Sequence, residues 1–177
     1  MEYRQEKVIE LNKRNVAFLM LLALCFAGIG IWILSKNYNT PLINRILLYG
    51  AAVGSILLFG FFGIYYFKKI VEKSPALILN EDGFTDNVNG FSAVFISWAD
   101  VARIEEYETE DLKSLSIYLE HPERYIKCEN LFQRVINFLK HKFYGTPINF
   151  SSGILKISDD ELKLIFDDYY ANYRNKA

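Results

Sequence analysis

Hydrophobic and polar positions divide the chain into two regimes. From Val16 to Leu34 and from Ile46 to Phe67 run nineteen and twenty-two residues without a single Asp, Glu, Lys, Arg or His. At 1.5 Å per helical residue these runs reach roughly 28 and 33 Å, so each can cross a bilayer once. In hydrocarbon every backbone N–H and C=O needs an internal partner, and two such runs joined by eleven residues therefore predict a transmembrane helical hairpin. The chain is expected to enter and leave on the same side.

From Ser74 the pattern shortens. Apolar stretches at Ala76–Asn80, Gly83–Asn87, Ser92–Ser97, Val101–Tyr107 and Lys113–Leu119 alternate with turn signals, among them Asp82-Gly83 and Asn89-Gly90. They predict an antiparallel meander. His121-Pro122-Glu123-Arg124 then opens a helix in which Tyr125, Cys128, Phe132, Val135, Leu139 and Phe143 recur at three- or four-residue spacing, with Gly145 placed to end it. That stripe is expected to lie against the sheet. Short strands are predicted at Pro147–Phe150 and Ile154–Ile157. Ser158-Asp159-Asp160-Glu161 is a capping box, opening a last helix whose Leu162, Ile165, Phe166, Tyr169, Tyr170 and Tyr173 share one face. Ahead of the hairpin, residues 1–15 are charged and read equally well as a short interfacial helix or a solvated tail.

With 177 residues and 51% apolar content, the chain holds a hairpin segment, 1–73 with spans at 16–34 and 46–67, and one compact domain, 74–177. The halves differ in charge. Residues 1–73 carry nine Lys and Arg against four Asp and Glu, and residues 74–177 carry eleven against seventeen, giving +5 and −6. A domain at −6 repels nucleic-acid phosphate, which argues against DNA or RNA as a partner. Arg4, Lys7, Lys13, Arg14, Lys68, Lys69 and Lys73 flank the terminal ends of the spans, whereas the loop has only Lys36 and Arg45. Both termini should therefore face the cytoplasm. The first run exceeds a signal-peptide core and no A-x-A pattern follows it, so the helix is expected to stay attached.

Candidate chemistry is sparse. Gly50 and Gly54 form a G-x-x-x-G spacing suited to close helix packing, either within the hairpin against Gly28 and Gly30 or between two copies. Lys68, Lys69 and Lys73 are candidate contacts for anionic lipid, each worth about 1 kcal/mol near such a surface, although positive-inside topology alone accounts for them. The two histidines, His121 and His141, stand about 30 Å apart along one predicted helix and cannot share a metal. Cys25 and Cys128 have no metal-site or disulfide-framework spacing. No nucleophile elbow, metalloprotease, phosphate-loop or dinucleotide motif occurs, so no catalytic residue, cofactor or metal is expected.

One stretch carries a resemblance. Pro75-Ala76-Leu77-Ile78-Leu79-Asn80-Glu81-Asp82-Gly83-Phe84, followed by Ile96-Ser97-Trp98-Ala99-Asp100-Val101 and Ile104, resembles the signature of bacterial pleckstrin-homology-like domains, with Ser97 where Pro is common. With two preceding apolar spans and Gly145-Thr146-Pro147-Ile148, the whole chain is similar to a family of small bacterial inner-membrane proteins. The resemblance implies an α+β protein: a transmembrane helical hairpin, then a pleckstrin-homology-like antiparallel β-barrel with an inserted helix and a C-terminal helix. Ile96 and Trp98 should share the barrel core, and Asp100 should cap the turn into the next strand. Phosphoinositide binding is not implied, because the first turn, Asn80-Glu81-Asp82-Gly83, is acidic. The expected function is a membrane-anchored, non-catalytic module that presents this domain to a protein partner at the cytoplasmic face of the inner membrane. Alternatives are an anionic-lipid sensor and a homo-oligomeric membrane structural protein.

Overall fold

The computed structural model describes residues 6–90, 92–108, 113–126 and 131–176. Two compact units make up the chain: Asn12–Lys73, and Met1–Leu11 together with Ser74–Ala177. In sequence, the helical unit is thus an insertion into the other.

The helical unit pairs α1 (Lys13–Leu34) with α2 (Leu42–Val71), and each helix is long and apolar enough to cross a membrane. The hydrogen bonds Tyr49 Oη to Lys36 O at 2.9 Å, Ser55 Oγ to Phe26 O at 3.1 Å and Lys13 Nζ to Ile70 O at 2.9 Å join the helices antiparallel. Small residues line the seam, with Ala23, Ala27 and Gly30 of α1 and Ala52 and Gly63 of α2 all buried. At Gly30 a Cβ would stand 2.8 Å from the Ala52 carbonyl oxygen, so only glycine permits this approach. Large side chains such as Phe18, Leu21, Ile31, Leu47, Leu57 and Ile64 face away from the seam and are exposed. A helix apolar all round and yet mostly unburied is unlike the core helix of a water-soluble protein.

The other unit begins before the hairpin. Strand β1 (Lys7–Ile9) pairs antiparallel with β2 (Leu77–Leu79), Ile9 opposite Leu77. Where a short interfacial helix or a solvated tail was expected, Lys7–Ile9 is a strand and α1 already begins at Lys13; residues 1–5 lie outside the described residues. Strands β3 (Gly83–Asp86) and β4 (Val94–Ser97) complete a four-stranded sheet ordered β1-β2-β3-β4. A second sheet, ordered β5-β6-β7, contains β5 (Val101–Glu108), β6 (Lys113–Leu119) and β7 (Ile148–Phe150). Helices α3 (Pro122–Ile126) and α4 (Leu131–Tyr144) lie between β6 and β7, and α5 (Asp159–Lys176) ends the chain.

The expected closed barrel does not form. A single 3-10 turn, Trp98–Asp100, separates β4 from β5, and the chain bends there into the second sheet instead of continuing the first. Ser97 caps that turn by accepting from the Ala99 N–H at 3.3 Å, the role assigned above to Asp100. The strand expected at Ile154–Ile157 is a 3-10 turn, Ser152–Ile154, followed by one isolated bridge from Leu155 to Leu11.

Both sheets and α5 share one core. Phe84, Trp98, Phe150 and Phe166 are essentially inaccessible, with ring centroids 5.3 Å apart for Phe84–Trp98, 5.1 Å for Phe84–Phe166 and 5.6 Å for Phe150–Phe166. The Trp98 indole N–H donates to Asn80 O at 2.9 Å, so its polar edge is satisfied inside the core. Ile96 is buried in the same core, as expected, although Trp98 lies in the 3-10 turn and not on the strand with it. Gly83 is dictated by space, since a Cβ there would stand 2.1 Å from the Ile96 carbonyl oxygen.

Candidate functional site

The glycines and lysines singled out on α2 separate. No atom lies within 4 Å of where a Cβ would sit on Gly50 or Gly54, and both face outward from the seam, which uses Gly30 and Gly63 instead. Gly28 likewise has nothing near it. Lys68 and Lys73 are exposed, whereas Lys69 is only 4% exposed and pairs with Glu72 at 3.3 Å. Lys13 also donates to Glu72 O at 3.2 Å, so a cation from the start of α1 meets the carbonyl end of α2, where the helix dipole favours it.

The most unusual geometry of the other unit is at α4. Its apolar stripe was expected against the sheet, yet Val135, Phe138, Leu139 and Phe143 are exposed, Phe143 at 75%. Cys128 lies outside the described residues, as does the Phe132 side chain. The polar side of the helix turns inward instead, with Asn137 7% exposed. Its amide donates to Tyr125 O at 3.1 Å, and Lys140 donates to Asn89 Oδ1 at 2.6 Å. Asn89 is itself held by Asp86, whose carboxylate accepts the Val88 N–H at 2.7 Å, the Asn89 N–H at 3.0 Å and the Asn89 side-chain amide at 2.8 Å. Two polar anchors thus fix the rotation of α4 about its axis. Gly145, at φ +74°, ends the helix as expected, in a conformation that favours glycine.

Electrostatics follow from this inward polar face. Burial lowers the pKa of the Lys140 ammonium, and the Asp86 carboxylate opposes that shift. The Tyr125 hydroxyl donates to Asp100 Oδ2 at 2.9 Å. Burial first, and the Asp100 carboxylate second, push its pKa up to about 12. Arg124 stands 3.5 Å from the same carboxylate.

Asp86, Ser92, Ile96, Tyr125, Asn137 and Ile148 help to line a cavity of about 40 Å³ beneath α4. That space suits one or two water-sized groups, far below the roughly 300–1,000 Å³ of a cofactor pocket. Asn137 Oδ1 and His141 Nδ1 are buried with no hydrogen-bond partner among the described residues. No three His, Cys, Asp or Glu side chains gather as a metal site among those residues. The arrangement holds a helix in one orientation and brings no nucleophile and base together.

The sequence did contain a signal for the orientation of α4. On a helical wheel Lys142 falls inside the arc of Val135, Phe138 and Leu139 and Arg134 borders it, where a core-facing stripe tolerates cations poorly. Comparison of the chain with protein-family models, with curated proteins and with solved structures finds no match.

Proposed function

We propose that this protein is a membrane-anchored, non-catalytic interaction module. The α1–α2 hairpin spans the inner membrane of a bacterium, both termini lie in the cytoplasm, and the α+β unit is a pleckstrin-homology-like domain with an opened barrel. One observation carries the reading: two mostly unburied apolar helices are inserted between β1 and β2, strands that pair with Ile9 opposite Leu77. The basic residues gathered at the start of α1 and the end of α2 agree with a hairpin whose two ends face the cytoplasm. A tethered domain meets partners at raised effective concentration without further contacts. Photo-crosslinking of the full chain in native membranes should return a specific protein partner bound through the α+β unit. Recovery of nothing above background from any surface position, or extraction of the chain by alkaline carbonate, would count against the reading.

A second reading, homo-oligomerisation in the membrane, is favoured by the outward position of Gly50 and Gly54. Gly50→Ile with Gly54→Ile should abolish a crosslinked dimer in that case and leave the monomer unchanged otherwise.

A further inference from the structure

We infer that the outward face of α4 is an interfacial helix that docks on an anionic bilayer leaflet. Three independent features of the α+β unit point there. Val135, Phe138, Leu139 and Phe143 are 54%, 55%, 43% and 75% exposed, a run of large apolar side chains along one helix face that water does not favour. Lys142 is exposed within the same arc and Arg134 is exposed at its border, and residues 131–144 contain three Lys or Arg and no Asp or Glu. Cations interleaved with Phe and Leu on one helix face are the composition of helices that lie in the headgroup layer. Finally, the polar bonds from Asn137 to Tyr125 and from Lys140 to Asn89 hold the apolar face outward, so its presentation is built into the unit.

Charge decides which surface this face meets. The remainder of the 74–177 segment is strongly acidic while α4 is wholly basic, so an anionic leaflet attracts this face and repels the surface around it. Docking would therefore be oriented, with α4 as the contact. A second copy presents no acidic counterpart on its own α4. The inference rests on the reading of α1 and α2 as bilayer-spanning to the extent that the tether supplies the proximity a short face needs; four apolar and two cationic side chains alone give weak, reversible binding.

The test uses the full chain with Cys25→Ser and Cys128→Ser, and an environment-sensitive fluorophore on Phe143→Cys. It is reconstituted in vesicles of phosphatidylcholine alone, or of phosphatidylcholine mixed with phosphatidylglycerol. In the mixed vesicles the emission should shift to the blue, be quenched by a lipid-borne quencher, and revert in high salt. Arg134→Gln with Lys142→Gln should weaken this response roughly twenty-five-fold, fivefold for each cation removed. A probe that stays in water in mixed vesicles overturns the inference. So does a blue shift without lipid quenching, which would mean that protein covers the face. Alkaline extraction of the same samples judges the anchor separately, and the quencher result judges α4 whether or not the hairpin is inserted.

Discussion

Helices α4 and α5 belong to the same unit and carry similar apolar stripes, yet they use them in opposite ways. In α5, Leu162, Phe166 and Tyr169 are buried in the shared core, and Ser158 accepts the Glu161 N–H at 3.2 Å to cap the helix start. In α4, the stripe faces out and Asn137 and Lys140 face in. A periodic apolar face says that something covers it, but not what. Polar residues that need partners settle the matter: α5 has an aromatic core to complete, whereas α4 has a buried amide and a half-buried ammonium to satisfy.

Substitutions on the two helices sharpen this contrast. Phe166→Ala should cost about 3–5 kcal/mol, because Phe166 touches three core rings and leaves a cavity when truncated, as read by thermal unfolding of the full chain in detergent. Gly83→Ala should cost about 1–3 kcal/mol by forcing β3 away from the Ile96 carbonyl oxygen. Removal of the α5 cap by Ser158→Ala should cost about 1 kcal/mol. Phe143→Ala on α4, by contrast, should change stability by no more than about 0.5 kcal/mol. Equal losses at Phe166 and Phe143 would break the comparison and place both stripes in the core.

Two further contrasts lie in pH. Tyr125 titrates at about 12 against an ordinary 10.0, so its contribution is complete below pH 10.0 and is lost as pH rises through about 12. Lys140 acts with the other sign. Its folded pKa lies below 10.5, so the cost of its buried charge is full at low pH and disappears as pH rises to 10.5. Tyr125→Phe should therefore flatten the alkaline limb of the stability profile, and Lys140→Met should remove the gain on approaching pH 10.5.

What was legible in the sequence came from local signals. The two apolar helices, most strands of the meander, the stop at Gly145 and the core positions of Ile96 and Trp98 each follow from a few neighbouring residues. Strand β1 was illegible because Lys7–Ile9 is too short to show a period, and its partner Leu77–Leu79 lies beyond the whole hairpin. The open barrel was hidden for a related reason: nothing local in Trp98–Asp100 says that β5 leaves the first sheet. The inward polar face of α4 depends on Asn89, fifty-one residues before Lys140. Its one sequence clue was a pair of cations, Lys142 inside the apolar arc and Arg134 at its border.

The anchor itself is tested most directly by accessibility from the two sides of a membrane. Single cysteines replacing Asn39, between the helices, and Asn175, near the end of α5, would be labelled with an impermeant maleimide in intact spheroplasts and in inverted vesicles. Position 39 should react only from outside and position 175 only from inside, in a chain that resists alkaline carbonate. Labelling of both positions from the same face would contradict a membrane-spanning hairpin inserted between β1 and β2.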